Sequence, residues 1–146
     1  MTDETSGDAP TEAVCRAEIE RLHDCFVAWY TATVDEDAFA RIADALGPEF
    51  EMVTPDGSRV AREAVLDSIR EQYDRDAPGT FDIDIRNVAV RHATGDRATV
   101  RYEEWQETGE ETTGRVSTVL FREDDAAPGG LLWLDVHETW LSRDDR

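Results

Sequence analysis

Hydrophobic residues recur at helical spacing in the first half of the chain. Over residues 11–33 they stand three or four positions apart, with charged residues between them, which predicts one long amphipathic helix. Asp35 and Asp37 offer N-caps for a second, shorter helix, and Gly47-Pro48 is expected to end it because proline cannot continue a helix. A third helix is predicted over residues 62–73, where apolar positions again share one side.

A short strand and a tight turn are predicted between the second and third helices. Residues 49–54 read as the strand, and the Pro-Asp-Gly sequence at 55–57 follows it. Proline presets its own φ and glycine is free to take a positive φ, so this tripeptide is typical of a turn. Residues 58–60 are expected to return beside the strand.

From Phe81 onward the hydrophobic period changes to two, which predicts strands. Four are expected, over residues 81–90, 97–107, 113–122 and 131–141, and the alternation slips by one near Asn87, which predicts a β-bulge. Three helices followed by antiparallel strands favour an α+β fold.

The last two predicted strands are apolar on both faces. In the final one the apolar residues fall on two sides, with Leu132, Leu134, Val136 and Trp140 on one and Leu131, Trp133 and Leu141 on the other. A two-layer protein leaves one sheet face to water, so burial of both faces needs a second cover. We therefore expect a homodimer in which a second copy covers the outer sheet face.

The charge of the chain is strongly negative and dispersed. Its 146 residues include 34 acidic and 15 basic side chains, for a formal net charge of −19, and every basic residue is arginine. Such a surface stays hydrated in concentrated salt, so we expect a halophilic archaeon as the source; the alternative is an ordinary acidic protein with arginine-rich codon usage. Nucleic acid is not an expected partner, because its phosphates would be repelled.

Length indicates a single domain over residues 12–146, preceded by a flexible polar leader at 1–11. The leader lacks the basic start and apolar core of a signal peptide, and no apolar run is long enough to span a membrane. Cys15 and Cys25 point to different sides of the first helix and are expected to be free thiols. We therefore expect a cytoplasmic protein, without a metal or cofactor because no such motif is present.

Two stretches of sequence, together with the order of elements, resemble the nuclear-transport-factor-2-like superfamily, also called SnoaL-like. EFEMVTPDGSRVAREAVLDSI is similar to a segment of its uncharacterised bacterial and archaeal members. WLDVHET is similar to their W-x-h-x-H-E-H ending: Trp133, His137 and Glu138 match, whereas Asp135 replaces an apolar residue and Thr139 replaces a common second histidine.

The resemblance implies a cone-like, strongly curved antiparallel or mixed sheet wrapped around the long N-terminal helix. It also implies a pocket at the open end of the cone and frequent dimers. The superfamily that the chain resembles includes isomerases, dehydratases, cyclases and a kinase association domain. The resemblance therefore implies a fold more specifically than an activity.

Asp135 and His137 form the first candidate site. They lie two residues apart on a strand and hence on one side, so the carboxylate could orient the imidazole as a general base. The alternative is a structural histidine at the dimer face, since an isolated His-Asp pair without a nucleophile specifies little.

Glu104 and Tyr102 form the second candidate site, on the predicted inner face of their strand. A carboxylic acid beside a phenol in an apolar cone is the type of pair that isomerases use, and burial would raise the pKa of the acid. The alternative places Glu104 at the strand end, in water.

Aromatic residues are candidates for the wall of a ligand pocket. Tyr30, Tyr102 and Trp105 are the predicted lining residues, although Trp105 alternates away from Tyr102 and would need a strand irregularity to face inward. Trp29 and Phe39 are expected in the core instead.

Other polar residues are expected on the surface or in ion pairs, without a functional role. His23 and His92 are expected on the surface, and Arg101, Glu103 and Arg115 are expected to form ion pairs across the outer sheet face.

Three functions therefore remain open. The first is a homodimer that binds a small apolar or weakly polar molecule, the second is a cofactor-free isomerase, dehydratase or cyclase, and the third is a dimerisation module without ligand. A closed cone favours the third and an open apolar cavity the first. An open cavity into which Glu104 or His137 points, with a second polar group within about 3 Å, favours the enzyme.

Overall fold

Three helices precede most of the sheet in the computed structural model, which describes residues 9–141. Helix α1 spans Glu12–Tyr30, a short 3₁₀ helix over Glu36–Ala38 leads into α2 at Phe39–Ala43, and α3 spans Arg62–Glu71. The hydroxyl of Thr11 caps α1 by accepting a hydrogen bond from the Val14 N–H at 3.2 Å. The predicted polar leader lies mostly outside the described residues.

Six strands form one mixed sheet, in the order β2-β1-β6-β5-β4-β3. Their bounds are Leu46–Val53 for β1, Arg59–Ala61 for β2, Phe81–Thr94 for β3, Arg97–Thr108 for β4, Glu111–Glu123 for β5 and Leu131–Trp140 for β6. All neighbouring pairs are antiparallel except β1 and β6, which run parallel. The early strand β1 is thus fixed beside the last strand of the chain.

The sheet curves around α1 to give the cone that the family resemblance implies, and this cone does not close into a barrel. One hydrophobic core lies between the helices and the inner face of the sheet. Among its least exposed members are six residues of α1, α2 and the central strands: Cys15, Ile19, Ile42, Val100, Val119 and Phe121. Every one of them is at most 1% exposed, so their burial contributes to the hydrophobic stabilisation of the fold.

Of the register shifts in the sheet, two bear on the predicted alternation of side chains. Asn87 has a φ of 57° and lies where the register between β3 and β4 shifts, as the slipped alternation predicts. A second shift, which the alternation did not predict, lies in β6: Leu120 pairs with Asp135, but Phe121 pairs with Trp133. This bulge turns Trp133 to the same face as Val136. The two residues are predicted on opposite faces, so β6 is less apolar on its outer face than the alternation indicates.

The predicted boundaries differ from the observed ones mainly around the second helix. β1 begins at Leu46 rather than at residue 49, because Gly47-Pro48 lies inside the strand, where Leu46 pairs with Trp133. Cys15 and Cys25 are free, with Cys15 buried and Cys25 half-buried. Among residues 9–141, no helix combines the length and apolarity needed to cross a bilayer.

Candidate functional site

A cavity of about 310 Å³ lies between α1, α3 and the inner face of the sheet. Its apolar walls come from every layer of the fold, and include Leu22, Phe50, Val65, Ile69, Trp133 and Val136. The exposed residues Ala64 and Ser68 of α3 also line it, so the cavity reaches the surface. Its volume falls in the range of small-molecule pockets, about 300–1,000 Å³.

One side of the cavity is polar. Four neighbouring elements contribute to it, and we call the set the polar cluster: His23 from α1, Glu104 and Gln106 from β4, Arg115 and Ser117 from β5, and Glu138 from β6. The strand register assembles it, because Glu104 pairs with Arg115 and Ser117 pairs with Glu138. Side chains paired across adjacent strands lie on one face.

His23 and Glu104 form a buried pair at the centre of the polar cluster. His23 Nε2 lies 3.2 Å from Glu104 Oε1, and the side chains are only 5% and 6% exposed. Gln106 donates to the other carboxylate oxygen, Oε2, at 2.7 Å. Aromatic rings of Phe26, Tyr102 and Trp133 surround the imidazole, with centroids 5.3–6.1 Å away.

The contacts of His23 fix how many protons the pair holds. Its Nδ1 lies 2.7 Å from the carbonyl oxygen of Ile19, which can only accept, so Nδ1 carries a proton. The contact between Nε2 and Glu104 Oε1 then needs one more proton, on one atom or the other. The pair is therefore neutral as a whole in either arrangement, and neither nitrogen of His23 is left for a ligand.

Arg115 and Glu138 form a second pair beside the first. Arg115 Nη1 donates to Glu138 Oε1 at 3.1 Å, and the Ser117 hydroxyl lies 3.5 Å from Glu138 Oε2. The Arg115 guanidinium also stacks on the Trp140 ring at 4.7 Å. Its Nε is buried without a hydrogen-bond partner among the described residues.

The two glutamates have pKa values shifted in opposite directions. Burial alone would raise the pKa of Glu104, but the charge and hydrogen bond of His23 lower it to about 2. Burial and the nearby Glu104 carboxylate raise the pKa of Glu138 above 4.5, although Arg115 opposes this. Burial disfavours charge on His23, yet Glu104 outweighs it and the pKa of His23 lies above 6.5. Divergent carboxyl pKa values are typical of acid-base sites.

Three of the predicted site residues lie at this cavity. Glu104, Tyr102 and Tyr30 all line it, and Glu104 is 4% exposed rather than in water. Burial raises the pKa of Tyr30 to about 12 and that of Tyr102 above its ordinary value as well, so both are neutral phenols.

The other three predicted site residues lie on the outer face of the sheet. His137 is exposed and Asp135 half-buried, and they alternate with Val136 and Glu138, which line the cavity. Trp105 covers Gly114 of β5 and donates from Nε1 to Glu103 at 3.0 Å. No irregularity turns Trp105 inward, because Trp105 and Gly114 are in regular register.

Two residues of the polar cluster contradict their predicted places. His23 was expected on the surface but is 4% exposed; it stands four residues after Ile19 and three before Phe26, on the apolar stripe of α1, which is a signal the sequence contains. Arg115 was expected on the outer face but lies opposite Glu104, because the turn after Thr108 sets that register. Glu138 matches the family ending, but nothing in the sequence predicted its pairing with Arg115.

Within the part of the chain that the structure describes, no group of three histidine, cysteine or carboxylate side chains could hold a metal ion. The polar cluster has only one histidine, and both its nitrogens are engaged. The site as described offers acid-base groups and hydrogen bonds.

Comparison with solved structures gives the same cone fold in proteins of different roles. An NTF-2-like protein of unknown function from Pseudomonas aeruginosa is 26% identical, with a TM-score of 0.80 over 88% of this chain and 99% of that one. A type 2 hexachlorocyclohexane dehydrochlorinase has a TM-score of 0.62 at 12% identity, over 89% and 87% of the two chains. The CaMKII hub of S. rosetta has a TM-score of 0.57 at 15% identity, over 88% and 92%.

Sequence comparison identifies the family directly. No curated protein matches the chain. The sequence profile described as sucrose-6-phosphate phosphohydrolase C-terminal matches residues 15–142, nearly the whole chain. The chain therefore belongs to the sucrose-6-phosphate phosphohydrolase C-terminal family, within the nuclear-transport-factor-2-like superfamily.

Proposed function

We propose that this protein binds a small molecule, with an apolar body and a weakly polar group, in the cavity of the cone, and that it does so as a homodimer. The open cavity carries this proposal, because apolar walls and a single polar cluster are what such a ligand needs. The apolar walls would bury the body of the ligand, and the polar cluster would orient its polar group.

The family name links the domain to sucrose-6-phosphate phosphohydrolase, but this cavity fits a less polar molecule. A sugar phosphate carries hydroxyl groups on all sides, which the apolar walls would leave without hydrogen bonds. Its phosphate would also lie beside the carboxylates of Glu104 and Glu138, whereas the arginine of the described lining, Arg115, is already paired with Glu138. The shape and charge of the cavity therefore favour a ligand with one polar end.

A cofactor-free enzyme is the second candidate, and one observation favours it. Glu104 lies at the cavity with polar partners at 2.7 and 3.2 Å, as an acid-base site requires. Glu138 beside it has a pKa raised by burial and by the Glu104 carboxylate, so it would take up a proton more readily than Glu104. The dehydrochlorinase is a precedent for an enzyme on this fold. An enzyme would release a changed ligand, whereas a binding protein would return it intact.

The homodimer is proposed from the outer face of the sheet. Val116 and Leu120 point away from the cavity side, which holds Ser117 and Val119, and both remain only half-buried in one chain. A kinase hub shares the fold. A module that only dimerises would have no use for an open cavity, so that third candidate is less well supported.

Filling the cavity tests whether ligands bind there. Ala64 faces the cavity from α3, so Ala64→Phe would place a ring in the space that a ligand needs. We expect this variant to weaken binding of para-fluorobenzamide, followed by ¹⁹F NMR relaxation, by about tenfold or more, which is a loss of about 1.4 kcal/mol.

The matched control is Ala40→Phe, at an exposed helical alanine outside the cavity lining. It should bind the probe as the unaltered protein does. Equal binding by the Ala64→Phe variant would show that the probe binds elsewhere and would contradict the proposed function.

A further inference from the structure

Besides the neutral phenols Tyr30 and Tyr102, the described lining of the cavity contains four ionisable side chains that are nearly removed from water. The exposed fractions are 5% for the side chain of His23, 6% for Glu104, 16% for Arg115 and 7% for Glu138. Charges at such positions are screened little by salt or water, so their sum acts strongly on anything that enters. That sum can be counted from the hydrogen bonds.

The charges of these four side chains sum to zero. The proton inventory of His23 and Glu104 makes that pair neutral as a whole, wherever its shared proton lies. Arginine is always a cation, and Glu138 accepts one hydrogen bond at each oxygen, from Arg115 and from Ser117, as a carboxylate does, so the second pair is also neutral. Each charge therefore already has a counter-charge within hydrogen-bond distance.

Among residues 9–141, the cavity wall holds no further charged side chain that could balance an additional charge. The other described lining residues are apolar or uncharged, such as Thr54, Ser68, Gln72 and Tyr102. A carboxylate that entered would lose its hydration. It would then either remain unpaired or displace Glu138 from Arg115, and in the second case Glu138 would be the unpaired anion. An ammonium ion would also lose its hydration, and it would either remain unpaired or displace Arg115 from Glu138 and leave Arg115 as the unpaired cation.

We infer that the cavity selects ligands without net charge, whose polar end is an amide, carbonyl or hydroxyl group, and rejects carboxylates and ammonium ions of the same shape. This inference rests on the proposed function and adds the chemical class of the ligand. The charge balance between Arg115 and Glu138 sets the selectivity, so changing that balance should change which ligand binds.

The test uses two probes of one shape that differ in charge. Para-fluorobenzamide is neutral and para-fluorobenzoate is an anion at neutral pH, and ¹⁹F NMR relaxation measures the affinity of each. Four proteins are compared: the unaltered chain with a balanced cavity, Glu138→Gln with one surplus positive charge, Arg115→Gln with one surplus negative charge, and the double variant, which is balanced again.

We expect the unaltered chain to prefer the amide by about tenfold or more. Glu138→Gln should move the preference toward the benzoate by about tenfold, whereas Arg115→Gln should leave benzoate binding undetectable. The double variant should return to the original preference, which separates the effect of charge from that of shape. Circular dichroism confirms that each variant is folded.

Two results would overturn the inference, and they differ in what else they affect. If the unaltered chain takes up benzoate as well as the amide, Arg115 serves as an anchor for an anion and the inference fails while cavity binding stands. If neither probe binds the unaltered chain, the proposed binding function fails and the inference falls with it. The preference of the unaltered chain decides the matter even if a single variant does not fold.

Discussion

At the scale of single residues, the buried pair of His23 and Glu104 is costly to the fold. Taking an imidazolium and a carboxylate out of water costs several kcal/mol, and their attraction and hydrogen bonds offset this only in good geometry. The contacts to Ile19 and Gln106 satisfy the outer atoms of the pair. Replacing one partner alone would leave an uncompensated buried group.

A double-mutant cycle should show this coupling. We expect His23→Leu and Glu104→Leu each to lower the free energy of unfolding by about 3–5 kcal/mol, and the double variant to lose much less than their sum. Urea denaturation measures the four proteins. His92→Leu, at an exposed histidine, is the control and should change stability by about 0.5 kcal/mol or less. Additive losses would contradict a direct coupling.

The pH dependence of the same cycle has a defined sign. The pKa of Glu104 is lowered from 4.5 to about 2, so its contribution is present above pH 4.5 and is lost as the pH falls toward 2. The pKa of His23 is raised above 6.5, so its contribution is complete below pH 6.5 and is lost as the pH rises through the folded value. The coupling energy should therefore be largest between pH 4.5 and 6.5.

Sequence reasoning named one member of the polar cluster, Glu104, as a site residue, together with Tyr102 beside it. Tyr102 and Glu104 follow Val100 by strict alternation, so their inward direction depends only on the local strand period. His23 also lies on a readable apolar stripe, but a polar residue on such a stripe is hard to assign before its partner is known. Arg115 and Glu138 meet through strand pairing, which local patterns do not determine.

At the scale of elements, β4 and β5 are fitted together by Trp105 and Gly114. A Cβ added at Gly114 would lie 2.6 Å from the Trp105 ring, which is 3% exposed and held by its hydrogen bond to Glu103. The ring thus needs a residue without a side chain opposite it. This contact holds Trp105 on the outer face, away from the cavity.

Gly114→Ala should therefore destabilise the protein by about 1–3 kcal/mol, because a well-packed ring must move or strain. Thermal and urea unfolding measure the loss. Gly109→Ala is the matched control, since its added Cβ meets nothing within 4 Å and its φ is not positive. If both variants are equally stable, the packing of Trp105 on Gly114 is not tight.

Elements were more predictable than their contacts. The helices, the hairpin turn at Gly95 and the bulge at Asn87 follow from spacing and turn residues, which act over a few positions. The second bulge, in β6, lies where the rings of Phe121 and Trp133 pack against each other, with centroids 4.9 Å apart. Such packing between strands has no period in the sequence, so Trp133 was placed on the wrong face relative to Val136.

At the scale of the whole molecule, the outer face of the sheet favours self-association, whereas the dispersed negative charge opposes it. Val116 and Leu120 offer apolar area to a second copy, whereas two chains of formal charge −19 repel each other. Salt screens that repulsion beyond about 10 Å at 0.1 M and more strongly at higher concentration, but leaves apolar contact intact. Self-association should thus be favoured by high salt.

We expect a dimeric mass by sedimentation in molar salt at micromolar concentration, and a monomeric mass for Leu120→Glu under the same conditions. A carboxylate at Leu120 would be buried against its symmetry mate in an isologous interface, which costs both desolvation and like-charge repulsion. Val14→Glu adds the same charge at a residue of α1 that is 46% exposed, away from the sheet, and should stay dimeric. A monomeric unaltered chain in molar salt would contradict the homodimer, and a dimeric Leu120→Glu variant would move the interface off this face.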